Sequence, residues 1–220
     1  MAVSQLYPDL LDDNEREAPI SSFDYVPRFL SGEDESVSAA ERGTATHTFM
    51  QFFDFDRVDK YGVEKEAEYL AENGFIFESD LKKIDVRGIK RFFDSDIAKS
   101  MRSAKKIWRE KRFILAFDAE GFTLDEQLKE KLKGEKMLVQ GVIDCAYEDG
   151  DGKIVLIDYK TDHFARGTPR EEIINTLRER HMRQLTYYKK ACRELFGEVS
   201  HVYVYSFALG DTVEIFTEDK

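Results

Sequence analysis

The spacing of apolar residues changes twice along the chain, and the changes mark its elements. Ser38-Ala-Ala-Glu41 is a capping box, and the residues after it predict a helix running to about Phe55. Helical spacing continues at Val63–Asn73, Asp80–Phe93 and Asp96–Lys105. Trp108–Phe117 then alternates as a strand, and Thr123-Leu-Asp-Glu126 predicts a capped short helix before Met137. The runs Met137–Tyr147 and Ile154–Tyr159 flank Asp149-Gly-Asp-Gly152, strong turn chemistry, and read as a hairpin. Thr168-Pro-Arg-Glu171 opens a long helix that reaches Phe196, with Gly197 placed to end it, before strands at Val199–Phe207 and Val213–Phe216. Ile154 to Ile157 is apolar on both faces, which predicts a central strand covered on both sides. The pattern is that of an α/β fold, a mixed central sheet flanked by helices.

The candidate chemistry lies at the open end of the hairpin. With the turn at Asp149–Lys153, antiparallel register sets Glu148 opposite Ile154 and, further along, Asp144 opposite Asp158. Opposed residues have Cβ atoms roughly 4.5–5.5 Å apart, where like charges destabilise each other, so two carboxylates there want a cation between them. Lys160 returns to the face of Asp158 two residues on. Two acids and an ammonium at one point suit metal-dependent phosphodiester cleavage.

Composition narrows the class. With 220 residues, 42% of them hydrophobic, the chain is long enough to bury a real core. There is neither an apolar run of membrane-spanning length nor a signal-peptide pattern, and no membrane partner is expected. Cys145 and Cys192 are the only cysteines, too few for a four-thiolate iron–sulfur cluster or a secreted disulfide framework, which predicts a reducing cytoplasm. No GxxxxGK[ST] string is present, so no nucleotide is expected on a P-loop. The net charge of −11 argues against broad electrostatic affinity for DNA, yet the charge is uneven. Residues 1–37 are acidic and weakly periodic, a partly disordered lead-in by this reading, and 38–220 form the domain. Lys82–Arg112 carries twelve basic residues against Asp85, Asp94, Asp96 and Glu110, which is either a DNA-facing surface or a solvated one. A second basic stretch runs from His163 to Arg193.

These strings also carry a resemblance. Asp144 followed by Asp158-Tyr-Lys160 resembles the core of the PD-(D/E)xK (restriction-endonuclease-like) nucleases. GVID, LIDYKTD, RGTATHTFMQ around His47 and QLTYY from Gln184 to Tyr188 resemble their RecB-type branch. RGTATH together with WREKRF is most similar to the nuclease domains of AddA-type helicase–nucleases. The resemblance implies a Mg²⁺- or Mn²⁺-dependent DNA nuclease, of the exonuclease type, that processes double-strand breaks for recombinational repair. It also implies an excised domain whose helicase portion belongs to the same native polypeptide, and an AddB/RexB-like partner subunit. By the same resemblance Asp144, Asp158 and Lys160 are catalytic. The metal ligands are His47, Asp144, Asp158 and the carbonyl of Tyr159, and Gln184 and Tyr188 border the site and contact DNA or the lysine. Glu110 in WREKRF is expected to pair with Lys111 or a nearby arginine, with metal positioning as its other role. Rival readings are an inactive nuclease fold used for DNA binding or assembly, and a free-standing RecB-like nuclease.

Overall fold

A computed structural model describes residues 38–122 and 125–216, so the lead-in and the cap expected at Thr123 lie outside the described residues. Helix α1 spans Ala39–Phe52 and opens on the expected capping box. The Ser38 hydroxyl accepts from the Glu41 amide at 3.2 Å and the Glu41 carboxylate accepts from the Ser38 amide at 3.0 Å. The chain breaks at Phe53 and forms a helix that the apolar spacing did not suggest, α2 (Phe55–Tyr61), capped by Asp54. Its cause is tertiary. Glu66, wholly buried on α3 (Val63–Glu72), accepts from the Asp54 amide at 2.8 Å and from the Arg57 guanidinium at 2.7 and 2.9 Å.

Residues predicted as a helix from Asp80 instead form a short 3₁₀ turn, Glu78–Asp80, and α4 starts only at Val86, running to Asp94 behind an Asp85 cap. Helix α5 (Asp96–Arg102) follows, capped by Ser95. Strand β1 (Ile107–Asp118) leads to α6 (Glu126–Leu132), capped by Asp125, and then to β2 (Lys136–Glu148) and β3 (Ile154–Lys160). Helix α7 (Arg170–Phe196) is continuous. Thr168 is not its cap: the hydroxyl donates to the Ala165 carbonyl at 2.8 Å, and Pro169 stands at the N-terminal boundary. Gly197, at φ 123°, ends the helix as expected, before β4 (Val199–Ser206) and β5 (Asp211–Glu214).

The five strands form one mixed sheet in the order β1-β2-β3-β4-β5, antiparallel except for the parallel β3–β4 pair that α7 bridges. Every residue of the central β3 is buried. One face packs on α1–α5 through Phe49, Phe53, Phe92, Tyr159 and Tyr205. The other packs on α7 through Leu177, Leu185, Ile143, Leu156 and Val204. Glu148 pairs with Ile154, the register the turn predicts, but pairing stops after Cys145–Ile157, leaving Asp144 and Asp158 where the strands part.

Strands β1 and β2 change faces at the same point. On β2, Cys145 and Tyr147 lie in the α1–α5 core whereas Val139 and Ile143 lie in the α7 core, although a period of two should keep all four on one side. On β1, Arg109 reaches Phe53, donating to its carbonyl at 2.6 Å and standing 3.9 Å over its ring, while Phe113 and Phe117 enter the α7 core. Between these halves lie Glu110 and Asp144, flanked by the pairs Arg109–Cys145 and Lys111–Ile143 but themselves outside the ladder. Glu110 has φ 48°, the one non-glycine positive φ among the described residues. Such a lapse re-aims a side chain and is a form of strain that persists only where the surroundings impose it.

Candidate active site

The switch of faces delivers Asp144 to the boundary between the two cores. Its Oδ2 accepts from the Tyr159 amide at 2.9 Å and lies 3.6 Å from Nδ1 of His47 on α1. His47 is thereby brought to Asp144, and its ring stands edge-on to Tyr159 with centroids 6.2 Å apart. Glu110 completes the group: one ligand atom each from His47, Glu110 and Asp144 lie within 4.8 Å of one another, all three residues partly buried. Burial, and then the charge of Asp144, push the Glu110 carboxyl up to about 7, with Arg112 offsetting only part of this. The ion pair expected for Glu110 therefore gives way to a place among the acids.

Asp158 lies outside that group of three. Its Oδ2 is 3.3 Å from Nζ of Lys160, and both side chains are almost completely buried, at 2% and 5% exposure. A charge so buried is tolerated only with its partner. Two residues further, Asp162 accepts from Arg180 on α7 at 2.6 Å and stands 3.6 Å from Nε2 of His181. Burial pushes the Asp162 carboxyl up, but His181, Lys160 and Arg180 outweigh it and hold the group below the usual carboxylate range. The loop after Lys160 is thus tied to α7.

One turn further along α7, Gln184 donates to the Tyr188 hydroxyl at 3.1 Å, and the Tyr188 ring packs edge-on to Phe113 at 5.6 Å. Burial first, then the charges of Asp158 and Asp144, push the Tyr188 phenol well up. Gly141 makes this approach possible: a Cβ there would lie 2.7 Å from the Phe113 ring and 3.1 Å from Tyr188. The sequence-derived residues therefore gather in two clusters. His47, Asp144 and the Tyr159 amide form one, and Asp158 and Lys160 beside Gln184 and Tyr188 form the other. Sequence reasoning named Glu110 but did not set it opposite Asp144. The register of β1 on β2 would have revealed it, but some seventeen residues with their own helix separate those strands, so no turn fixes it.

A mixed sheet whose central hairpin opens onto carboxylates and a buried lysine is the frame of a nuclease family. The profile of the PD-(D/E)XK nuclease superfamily matches residues 22–211, and the chain belongs to that superfamily. Among curated relatives, ATP-dependent helicase/nuclease subunits of the AddA type are similar to most of the chain. That of Acetivibrio thermocellus is 36% identical over 182 residues, covering 82% of this chain and 14% of the relative. That of Clostridium perfringens is 35% identical over 199 residues, 87% of this chain and 15% of the relative. Clostridium kluyveri gives 34% over 185 residues, 83% of this chain and 14% of the relative. The chain thus spans about one seventh of the length of these relatives. No helix among the described residues is long and apolar enough to cross a membrane.

Proposed function

We propose that this domain hydrolyses DNA phosphodiesters with a bound Mg²⁺ or Mn²⁺, as an exonuclease acting on a strand delivered by a helicase portion of the same native polypeptide. On this reading it serves cytoplasmic double-strand break repair by homologous recombination, beside an AddB/RexB-like subunit. The convergence of His47, Glu110 and Asp144 within 4.8 Å, next to the Asp158–Lys160 pair, carries the proposal. An imidazole nitrogen and two carboxylate oxygens are a donor set that a divalent cation fits, and the Glu110 carboxyl, raised first by burial and then by the charge of Asp144, is one whose charged form a cation would favour. His47, Glu110 and Asp144 would hold the ion, together with Asp158 and the Tyr159 carbonyl, which the family resemblance implies as ligands. The ion would supply positive charge at a phosphoryl oxygen and a water of lowered pKa.

The chain's own groups do the rest. The Tyr159 amide fixes the orientation of Asp144. Asp158 positions Lys160, whose ammonium would offset charge gathering on the phosphoryl oxygens as the bond to the leaving oxygen breaks. Gln184 and Tyr188 wall the α7 side, where they would touch the strand or the lysine. The test is cleavage of linear DNA by the chain in Mg²⁺, in Mn²⁺ and in chelator, with a protein in which Asp144 is replaced by Asn alongside. Metal-dependent cleavage lost in Asp144→Asn is expected, and cleavage that persists in chelator would overturn the reading.

A further inference from the structure

A cavity of about 530 Å³ carries Arg42, Lys82, Lys83, Arg87 and Arg91 on its wall. Its position follows from the elements that build the site. Arg42 and Thr46 share one face of α1, and Thr46 immediately precedes His47. On the other side Thr161, Asp162 and His163 line the cavity, directly after Lys160. The cavity is therefore lined by the residues next in sequence to His47 on α1 and to Lys160 on β3.

Its charge is not neutralised from within. Asp85 is occupied as the cap of α4, accepting from Gly88 at 2.9 Å, and Asp162 is held by Arg180 at 2.6 Å. Lys83 pairs with Asp80 at 2.9 Å and with Glu41 at 3.4 Å, and Arg91 donates to the Phe207 carbonyl at 2.7 Å. Arg42, Lys82 and Arg87 make no ion pair with a described residue. Elsewhere in the basic stretch Lys90 pairs with Glu64 at 2.6 Å, Lys99 with Asp96 at 2.8 Å and Arg102 with Asp59 at 2.6 Å, while Arg109 turns inward to Phe53. The stretch that looks uniformly basic in sequence is thus divided: Lys82 and Arg87 line the cavity, Arg42 joins them from α1, and Lys105, Lys106, Lys111 and Arg112 lie exposed outside it. Ile84 and Phe207 add buried apolar surface to the wall. Cations over an apolar floor, in a volume within the range of about 300–1,000 Å³ that holds small ligands, suit a nucleotide and its phosphate.

We propose that this cavity is a phosphate subsite, in which Arg42, Lys82 and Arg87 grip the backbone of a DNA strand on one side of the bond presented to the acids. The inference rests on the nuclease reading, because the strand it grips is the one placed for cleavage. Binding is tested on the whole chain in chelator, where nothing is cut, by fluorescence anisotropy of a labelled single-stranded oligothymidylate over a range of salt. Arg42→Glu/Arg87→Glu should weaken binding by at least about tenfold and lower the salt slope by about 1.4, the loss of two single-strand phosphate contacts. Arg42→Gln/Arg87→Gln, which adds no acid, should move both quantities the same way by less. Lys105→Glu/Lys106→Glu, outside the cavity, should change neither by as much. Oligonucleotides with and without a 5′-phosphate separate the sources: equal affinity assigns an internal backbone phosphate, and a preference lost in the double reversal assigns a terminal one. Wild-type affinity and slope in both cavity variants, or a larger loss from Lys105→Glu/Lys106→Glu, would overturn the proposal. Cleavage by the unaltered chain in Mn²⁺ is scored separately, so a failed nuclease reading and a failed subsite give different results.

Discussion

Two groups of acids, one on β1 and β2 and the other on β3 and the loop after it, are treated in opposite ways. Glu110 and Asp144 are half-buried, face each other where both strands leave the ladder, and have a histidine and a backbone amide for company. Asp158 and Asp162 are sunk to 2% and 3% exposure, and each is matched by a cation, Lys160 or Arg180. In the first group nothing within the trio balances the two carboxylates fully, and one of them responds by holding its proton to about pH 7. The second is balanced by construction. Sites that accept an ion from solution need the first arrangement, and sites that must keep an ammonium in place need the second.

The sharpest way to break this contrast is Asp144→Asn. The amide oxygen still accepts from Tyr159, so the fold should survive, whereas cleavage should fall by about 10³-fold or more and Mn²⁺ binding by calorimetry should be lost. Retained binding with lost cleavage would move the ion away from Asp144.

In the balanced group, Lys160→Ala strands a buried carboxylate and should cost about 3–5 kcal/mol in urea unfolding as well as abolishing cleavage. Asp158→Asn/Lys160→Met removes both charges and should recover most of that stability with no recovery of activity. If the double variant is as unstable as the single one, the pair is not the reason for the loss.

Glu110→Gln tests the open group more gently, with an expected loss of about 10–100-fold in metal affinity. Wild-type affinity should itself fall as pH drops through about 7, because the protonated carboxyl no longer ligates, and the variant should show a flatter profile there. For the metal-free protein the sign reverses. A carboxyl raised from 4.5 favours folding fully below pH 4.5 and loses that contribution as pH rises through about 7, so Glu110→Gln should gain stability relative to the unaltered chain only at the upper end of that window.

Gly141→Ala should crowd the Phe113 and Tyr188 rings at a cost of about 1–3 kcal/mol, read in thermal unfolding. Smallest of all, Tyr188→Phe removes only the acceptor for Gln184, about 1 kcal/mol of stability. A loss of cleavage well beyond that, with KM rather than kcat affected, would assign the hydroxyl a contact with the strand.

Much of this was legible in the chain itself. The Asp-Gly turn fixed the register of β2 on β3 from Glu148–Ile154 to Cys145–Ile157, because a hairpin this short leaves little freedom. The unbroken apolar run of Ile154–Ile157 identified the central strand, and the Ser38–Glu41 box located the start of α1, each a local cause with a local effect. What stayed hidden depended on elements far apart in the chain. Helix α2 exists because Glu66 gathers Asp54 and Arg57 from nine and more residues away. Glu110 reaches Asp144 because β1 docks on β2 across a long connection and both strands turn over at one rung, which no period-two pattern announces. The gathering of Lys82 and Arg87 with Arg42 around one cavity likewise required α1, α4 and the loop after Lys160 to be brought together. Short-range hydrogen bonding and burial are written residue by residue. The position of a charge relative to distant charges is set only when the chain has packed.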